Sequence, residues 1–209
     1  MKILLFGSTG ATGIHVLRQA LDQGIEVVAY VRSAGKIKIQ DKRLKVVEGE
    51  LSDIEKLKQA LVGVDAVISA LGVAKKTSGI LPSESLPGML EAMKQAGVKR
   101  YIGISSGAAV NIPGDRKPLP AKIMGKILGT FQGNAVADKR NELRILEKEE
   151  HVEWTLARPT RLVGDKLTKT YIANLHIPRR LWVSRADVAH FMLSQLNSRE
   201  WINKAPFVS

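Results

Sequence analysis

The stretch Ile3-Leu4-Leu5-Phe6-Gly7-Ser8-Thr9-Gly10-Ala11-Thr12-Gly13 decides the fold of this chain. Its four apolar residues, Ile3 to Phe6, predict a short buried strand, and the amphipathic run from Ala11 to Gln23 predicts a helix that ends at Gly24. Three glycines spaced three residues apart join the strand to the helix in a tight turn. A strand, a glycine turn and a helix in this order are typical of the first unit of a parallel α/β sheet.

The alternation of short β-branched runs with longer amphipathic segments continues along the chain and predicts a doubly wound parallel sheet of the Rossmann class. Five further strands are predicted at 26–31, 44–47, 66–70, 101–105 and 153–157. Weaker strand signals lie near Tyr171 and at 206–208. Further helices are predicted at 53–61 with Ser52 as its cap, from Pro82 to a stop at Gly97, at 136–150, and at 186–196 with Ser184 as its cap.

Residues 107–135 interrupt this alternation. They contain three prolines and five glycines, so no long element is expected, and we interpret the segment as an active-site loop or lid. No repeat or low-complexity linker divides the chain. Residues 1–209 are therefore predicted to form a single domain with a small elaboration on the substrate side near the carboxyl terminus.

Composition excludes several kinds of protein. The 209 residues are 44% hydrophobic and 25% charged, which is enough apolar side chain for a core. Cysteine is absent, which excludes disulfides, thiolate metal sites and cysteine nucleophiles, and the four histidines lack metal-ligand spacing. No metal site is predicted. No apolar run approaches the ~20 residues of a membrane span, so we expect a cytoplasmic protein without one.

The net charge of +12 raises the question of a nucleic-acid partner. Aromatic residues make up only 5% of the chain and no nucleic-acid-binding motif is present, so such a partner is not expected. The basic excess lies mainly within 71–135. Side chains there could attract an anionic substrate, with solvated surface charge as the alternative: Lys75, Lys76, Arg116, Lys117, Lys122 and Lys126.

The glycine turn predicts a dinucleotide-binding site. Free backbone amides and the helix dipole at the start of the first helix favour a pyrophosphate, and glycine leaves space for its close approach. The alternative is an ordinary glycine-rich turn. The residues expected to hold the pyrophosphate are Gly7, Ser8, Thr9, Gly10, Ala11, Thr12 and Gly13.

The residue that ends the second strand indicates which dinucleotide is bound. Chains that bind NAD carry an acidic residue there, which accepts a hydrogen bond from the ribose. This chain carries Arg32, followed by Lys36 and Lys38. A guanidinium matches the geometry of a 2′-phosphate, so NADP(H) is predicted to be preferred over NAD(H). The alternative is a solvated surface arginine.

Other strand ends carry motifs of a known family, namely Ser69-Ala70-Leu71-Gly72, Ser105-Ser106 and Arg158-Pro159. With the glycine turn and Arg32, these resemble the atypical short-chain dehydrogenase/reductases over the whole chain, above all the NmrA-like proteins and the flavin/biliverdin-IXβ reductases. Relatives often have Gly-Asp-Leu where this chain has Gly49-Glu50-Leu51. The resemblance implies further cofactor contacts: Leu51, Ser52 or Asp53 near adenine, Ala70, Leu71 and Gly72 along the nicotinamide-side ribose, and Pro159 and Thr160 at the nicotinamide amide.

The Tyr-x-x-x-Lys pair of ordinary short-chain dehydrogenases is absent, because no lysine lies four places after Tyr30, Tyr101 or Tyr171. The substrate should therefore be one whose reduction needs little help with protonation, such as a flavin, a quinone or an extended tetrapyrrole. An NADP(H)-dependent reductase of such an acceptor is predicted. The alternative is a non-catalytic, NmrA-like redox sensor that signals to a partner through 107–135, and a sugar epimerase or dehydratase is disfavoured.

Two candidate catalytic residues follow from the resemblance. It implies that Ser106, with Ser105 beside it, borders the nicotinamide. It also relates Lys139 to a lysine of isoflavone-reductase-like proteins that acts on the substrate or ribose. The alternatives are a serine pair that caps a loop and a solvated helix lysine. The oligomeric state and the conformation of the lid are left open.

Overall fold

A computed structural model of the chain describes residues 1–72, 81–131 and 133–209. One sheet and a small two-stranded ribbon are found in these ranges. The strands are β1 Lys2–Phe6, β2 Glu26–Val31, β3 Leu44–Glu48, β4 Ala66–Ser69, β5 Arg100–Ile104, β6 Glu153–Pro159, β7 Arg161–Leu162, β8 Ala173–Asn174, β9 Trp182–Val183 and β10 Phe207–Val208. The helices are α1 Gly13–Asp22, α2 Ile54–Ala60, α3 Pro82–Gln95, α4 Leu119–Phe131, α5 Gly133–Leu146 and α6 Arg185–Ser194.

The large sheet has the strand order β3-β2-β1-β4-β5-β6-β10-β8, which confirms the predicted Rossmann class. Its pairs are parallel from β3 to β10, and β8 joins β10 in the antiparallel sense. The chain moves outward from β1 in one direction to β2 and β3, and then in the other to β4. The crevice at the carboxyl ends of β1 and β4 is therefore the expected ligand site of the fold.

Alternate residues of β1 supply two separate cores. Leu4 and Phe6 pack with residues of α2, α3 and α5 on one face of the sheet. Ile3 and Leu5 pack with residues of α1 and α6 on the other face. Since successive side chains of a strand point to opposite faces, a continuous apolar run is what a strand covered on both sides requires.

Several predicted boundaries are corrected by the structure. The first helix begins at Gly13, not at Ala11, and α5 begins at Gly133 and ends at Leu146. The cap of α2 is also different. The Asp53 carboxylate accepts a hydrogen bond from the Lys56 amide at 3.1 Å, so Asp53 caps this helix and Ser52 does not.

The largest correction concerns 107–135, where no long element was expected. Leu119–Phe131 forms α4, and only 107–118 lacks helix and strand. Pro120 lies in the first helical turn, where proline is tolerated. A Cβ at Gly125 would lie 2.8 Å from the Ala108 carbonyl oxygen, so this glycine lets α4 pack closely against 107–118. A lid function for the segment stays a prediction.

A fully buried arginine fastens this segment to the sheet. The Arg158 guanidinium forms two hydrogen bonds to the Asp115 carboxylate, at 2.6 and 3.0 Å. It also donates to the carbonyl oxygens of Val110, Leu175 and Ala205. The end of β6 is therefore tied to the 110–115 loop, to the strand region of β8 and to the chain just before β10.

None of the helices in the described ranges is long and apolar enough to cross a membrane. No group of three or more metal-ligating side chains occurs in the same ranges. A cytoplasmic location stays a prediction.

We expect Asp115→Asn to lower the free energy of unfolding by about 3 kcal/mol, because it leaves the buried guanidinium without its counter-charge. The matched control is Glu55→Gln, which breaks an exposed ion pair with Lys58 on α2 and should cost about 0.5 kcal/mol or less. Urea unfolding followed by circular dichroism measures both. Equal effects of the two variants would contradict the anchoring role of Arg158.

Candidate functional site

The turn between β1 and α1 is closed by backbone contacts that exclude side chains. Gly7 has a φ of +74°, and a Cβ there would lie 2.7 Å from the Ala70 carbonyl oxygen at the end of β4. A Cβ at Gly13 would overlap the carbonyl oxygen of Gly7. These two glycines are therefore required by the tight turn itself.

The same turn leaves helix amides free. The Gly10 amide donates to the Gly7 carbonyl at 2.9 Å, and the Ile14 amide donates to the Gly10 carbonyl at 3.0 Å. Within the described residues, the amides of Ala11 and Thr12 have no backbone acceptor. The first turn of α1 contains no acidic residue. The start of α1 thus offers N–H donors and the positive end of the helix dipole to an anion.

A cavity of about 120 Å³ opens beside this turn, at the carboxyl ends of the first four strands. It brings together residues from the glycine turn and from the segments that follow β2, β3 and β4. Its lining consists of Phe6, Gly7, Thr9, Tyr30, Val31, Arg32, Ser33, Lys36, Gly49, Leu51 and Leu71.

Two cations line one side of the cavity. Arg32 and Lys36 are exposed, and neither has an ion-pair partner among the residues that the structure describes. The Glu48 carboxylate accepts a hydrogen bond from the Ala34 amide at 2.7 Å, which holds the short 3₁₀ turn Ala34–Lys36 in place. The cavity therefore presents two positive charges to any anion that enters it, Lys36 on this turn and Arg32 directly after β2.

Tyr30 forms part of the cavity lining and was missed by the sequence analysis. Its hydroxyl donates to the Glu50 carbonyl at 3.1 Å. Burial, together with the negative charges of Asp53 and Glu50, raises the pKa of Tyr30 to about 12, so the phenol stays neutral. A Cβ at Gly49 would overlap the Tyr30 hydroxyl, so the glycine of the Gly49-Glu50-Leu51 motif makes room for this ring.

Five of the predicted cofactor residues line the cavity, namely Gly7, Thr9, Arg32, Leu51 and Leu71. The others lie outside its lining: Ser8, Gly10, Ala11, Thr12, Gly13, Ser52, Asp53, Ala70, Gly72, Ser105, Ser106, Pro159 and Thr160. Ser52 and Asp53 are exposed.

Three hydroxyls near the carboxyl ends of the strands are buried without a partner among the described residues, those of Ser8, Ser105 and Thr160. Ser106 differs from its neighbour. Its hydroxyl accepts a hydrogen bond from the Ala109 amide at 3.3 Å. This is the loop cap that was the alternative to a nicotinamide contact for the serine pair. Of the two adjacent serines, it is therefore Ser105 whose hydroxyl is buried without a hydrogen-bond partner in the described residues.

Lys139 is buried and does not behave as a solvated helix residue. Its ammonium donates to the carbonyl oxygens of Leu71 at 3.0 Å and Ile104 at 2.8 Å, and to the Glu142 carboxylate at 2.8 Å. An ammonium has three N–H donors, and all three are used. Lys139 therefore ties the segment after β4 to the end of β5.

Each of the three tyrosine hydroxyls has a protein partner. Tyr101 donates to the Glu142 carboxylate at 3.2 Å, and burial beside that charge raises the pKa of Tyr101 well above its usual value. The Tyr171 hydroxyl pairs with Nδ1 of His190 at 2.8 Å. Together with Tyr30, these contacts leave no tyrosine arranged as a free proton donor.

The basic residues predicted beside the cleft lie in different surroundings. Arg116 and Lys122 are exposed. Lys117 is buried and donates to the Val110 carbonyl at 2.9 Å, and this burial lowers the pKa of Lys117 to about 8. Lys75, Lys76 and the side chain of Lys126 lie outside the described part of the chain.

Residues 7–199 match the model of a family described as NAD(P)H-binding. The photosystem II assembly factor Ycf39 of Synechocystis sp. is 33% identical over 118 residues, which are 54% of this chain and 36% of that protein. The chain thus spans about a third of the length of this curated relative.

Solved structures match the whole chain. The anaerobillin reductase ChuY of Escherichia coli superposes with a TM-score of 0.79 and 20% identity over 96% of its length. A short-chain dehydrogenase/reductase of Veillonella parvula in complex with NADP superposes with a TM-score of 0.77 and 19% identity over 94% of its length. At this identity the likeness shows the fold, and the family match confirms the NAD(P)H-binding part of the resemblance that the motifs predicted.

We expect Gly13→Ala to raise the Kd for NADPH about tenfold or more, because the new methyl group displaces the Gly7 carbonyl and with it the start of α1. The matched control is Gly133→Ala in the first turn of α5, where a Cβ meets nothing within 4 Å. Isothermal titration calorimetry measures the affinity. Unchanged binding by Gly13→Ala would contradict the role given to the turn.

Proposed function

The chain belongs to the NAD(P)H-binding family, and from this premise we propose that it is an NADP(H)-dependent reductase of a conjugated acceptor such as a flavin, a quinone or a tetrapyrrole. One observation carries the cofactor part of the proposal. The glycine turn shares a single cavity with Arg32 and Lys36, two cations without acidic partners in the described residues. A helix start followed by a fixed pair of cations suits a pyrophosphate and a separate phosphate.

The residues fit a dinucleotide laid across the carboxyl edge of the sheet. The pyrophosphate would accept hydrogen bonds from the free amides at the start of α1. The 2′-phosphate would pair with Arg32 and Lys36, with the adenine near Leu51. The other half would then extend past Leu71 towards Ser105 and Thr160, whose buried hydroxyls lack partners in the described residues.

When bound, NADPH supplies a hydride that reduces the acceptor by two electrons, and the balancing proton comes from water. The chain contributes orientation and positive potential. Lys139 has no donor left for a substrate, so we assign it a positioning role: it fixes the carbonyls of Leu71 and Ile104, and so the spacing of β4 and β5. Ser106 is held by its own loop, and Ser105 is the better candidate for a contact with the nicotinamide half.

The proposed class of acceptor follows from the hydrogen bonds that the tyrosine hydroxyls make. A carbonyl or alcohol substrate needs an acid of suitable pKa at the reacting oxygen. The hydroxyls of Tyr30, Tyr101 and Tyr171 are each engaged by a protein group. A conjugated acceptor stabilises the electrons it receives, so it is reduced without such an acid.

We expect the protein to oxidise NADPH in the presence of flavin mononucleotide or a soluble quinone, followed as loss of NADPH absorbance. Gly13→Ala is the matched control, since it removes the cofactor site and leaves the remainder of the sheet. Tight NADPH binding without turnover across flavins, quinones and tetrapyrroles would contradict the reductase. It would favour the non-catalytic redox sensor.

We expect Arg32→Ala to weaken NADPH binding about ten- to a hundredfold and to leave NADH binding nearly unchanged, because only the former carries the phosphate that the guanidinium would contact. Lys38→Ala is the control, since Lys38 is an exposed cation of the same segment outside the cavity lining. Equal losses for both coenzymes, or tighter binding of NADH by the unmodified protein, would overturn the preference for NADP(H).

A further inference from the structure

The outer face of α4 exposes a stripe of large apolar side chains. Leu119, Ile123 and Ile127 are 69%, 50% and 46% exposed. Residues four apart follow one another along the same side of a helix, so the three form a continuous row. Gly125, on the other side, packs towards the Ala108 carbonyl. The row therefore points away from the protein body.

A second exposed apolar group follows β8 along the chain. Leu181 and Trp182 are 48% and 55% exposed, and they come directly after two exposed arginines, Arg179 and Arg180. A tryptophan with half of its surface in water is unusual, because the ring is among the most strongly apolar groups of a protein.

A backbone hydrogen bond joins the two segments that carry these apolar groups. The Arg116 amide donates to the His176 carbonyl at 2.9 Å, which joins the chain just before α4 to the chain just before Arg179. Their neighbours Asp115 and Leu175 are both held by Arg158 at the end of β6. The segments that carry the two apolar groups are therefore joined beside the end of β6, three residues before Leu119 and five residues before Leu181.

Charge is strongly segregated in the same two stretches. Residues 116–137 contain four basic side chains and no acidic one, and residues 166–186 contain five basic side chains and no acidic one. Aspartates bound both stretches, but the side chains of Asp115, Asp138 and Asp187 are buried. Asp165 is exposed and pairs with His15 and Arg185. We call Leu119, Ile123, Ile127, Leu181 and Trp182, with Arg116, Lys122, Arg179 and Arg180, the basic apolar face.

We propose that the basic apolar face binds the surface of an anionic lipid bilayer. Leucine, isoleucine and tryptophan side chains insert at the boundary between headgroups and acyl chains, and flanking lysines and arginines are attracted to anionic headgroups. This inference goes beyond the proposed reductase and does not depend on it.

Two other partners fit the face less well. A second copy of the chain would bring this basic surface against an identical one in a symmetric contact, and like charges would then oppose the association. A nucleic acid would satisfy the cations but would leave the row on α4 and the Leu181 side chain in contact with water and phosphate. A bilayer with anionic headgroups offers acyl chains to the apolar side chains of this face and negative charge to its arginines and lysine.

The test is co-sedimentation of the full chain with large vesicles of phosphatidylcholine alone and of phosphatidylcholine with about 30% phosphatidylglycerol. Two double variants remove one property each. Ile123→Ser with Ile127→Ser removes apolar surface, and Arg179→Glu with Arg180→Glu reverses charge. The matched controls are Val62→Ser, a 69% exposed residue before β4, and Lys94→Glu on the exposed side of α3.

We expect the wild type to bind the anionic vesicles, to bind neutral vesicles at least about tenfold more weakly, and to dissociate as salt is raised. Each double variant should lower the partition onto anionic vesicles about tenfold or more, and each control should leave it unchanged. Far-ultraviolet circular dichroism and urea unfolding verify that all variants are folded.

Three results would overturn the proposal. The first is no association of the folded wild type with anionic vesicles, and the second is association that both double variants retain. The third is a concentration-dependent dimer that the Ile123→Ser, Ile127→Ser variant abolishes, since this would assign the face to a second copy. None of these results bears on NADPH turnover, so the reductase is tested separately.

Discussion

The turn between β1 and α1 is the constraint on which the rest of the site depends. The Gly7 carbonyl occupies the space where a side chain at Gly13 would begin, and Gly7 itself lies against the Ala70 carbonyl at the end of β4. This double contact brings the start of α1 to the crevice where the strand order reverses. Two residues of the turn, Gly7 and Thr9, then share a cavity with Arg32. The phosphate binding that we propose for this edge would thus depend on backbone packing that only glycine permits at these two positions.

Buried cations fix the other half of the same edge. Lys139 joins the segment after β4 to β5 through two carbonyls, and Arg158 joins β6 to the loop that leads to α4. Their donors are met by protein oxygens, so these side chains hold strand ends in register and have little capacity left for a ligand. Strand ends held in this way suit the proposed site, in which the coenzyme would supply the chemistry and the protein would supply alignment.

The sequence predicted the features that depend on local pattern and missed those that depend on distant contacts. The β-branched run of β2 and the position of Arg32 after it are local, and both lie where expected. The helix α4 contains two glycines and begins among prolines, and the close approach of Gly125 to the Ala108 carbonyl is a contact that the local sequence does not reveal. Lys139 has the charge pattern of a solvated residue, and its burial depends on how α5 covers the ends of two strands.

The net charge of +12 shows the same limit, because a total does not say where in the structure the cations lie. The structure divides the cations among three environments. Arg32 and Lys36 line a cavity, and Lys139 and Arg158 are buried among carbonyl and carboxylate oxygens. The remainder includes the arginines and lysines of the basic apolar face, which have water around them and apolar side chains beside them. Burial separates the second group from the other two, and only the first and last groups can attract a partner, because a cation whose donors are already satisfied exerts little field at the surface.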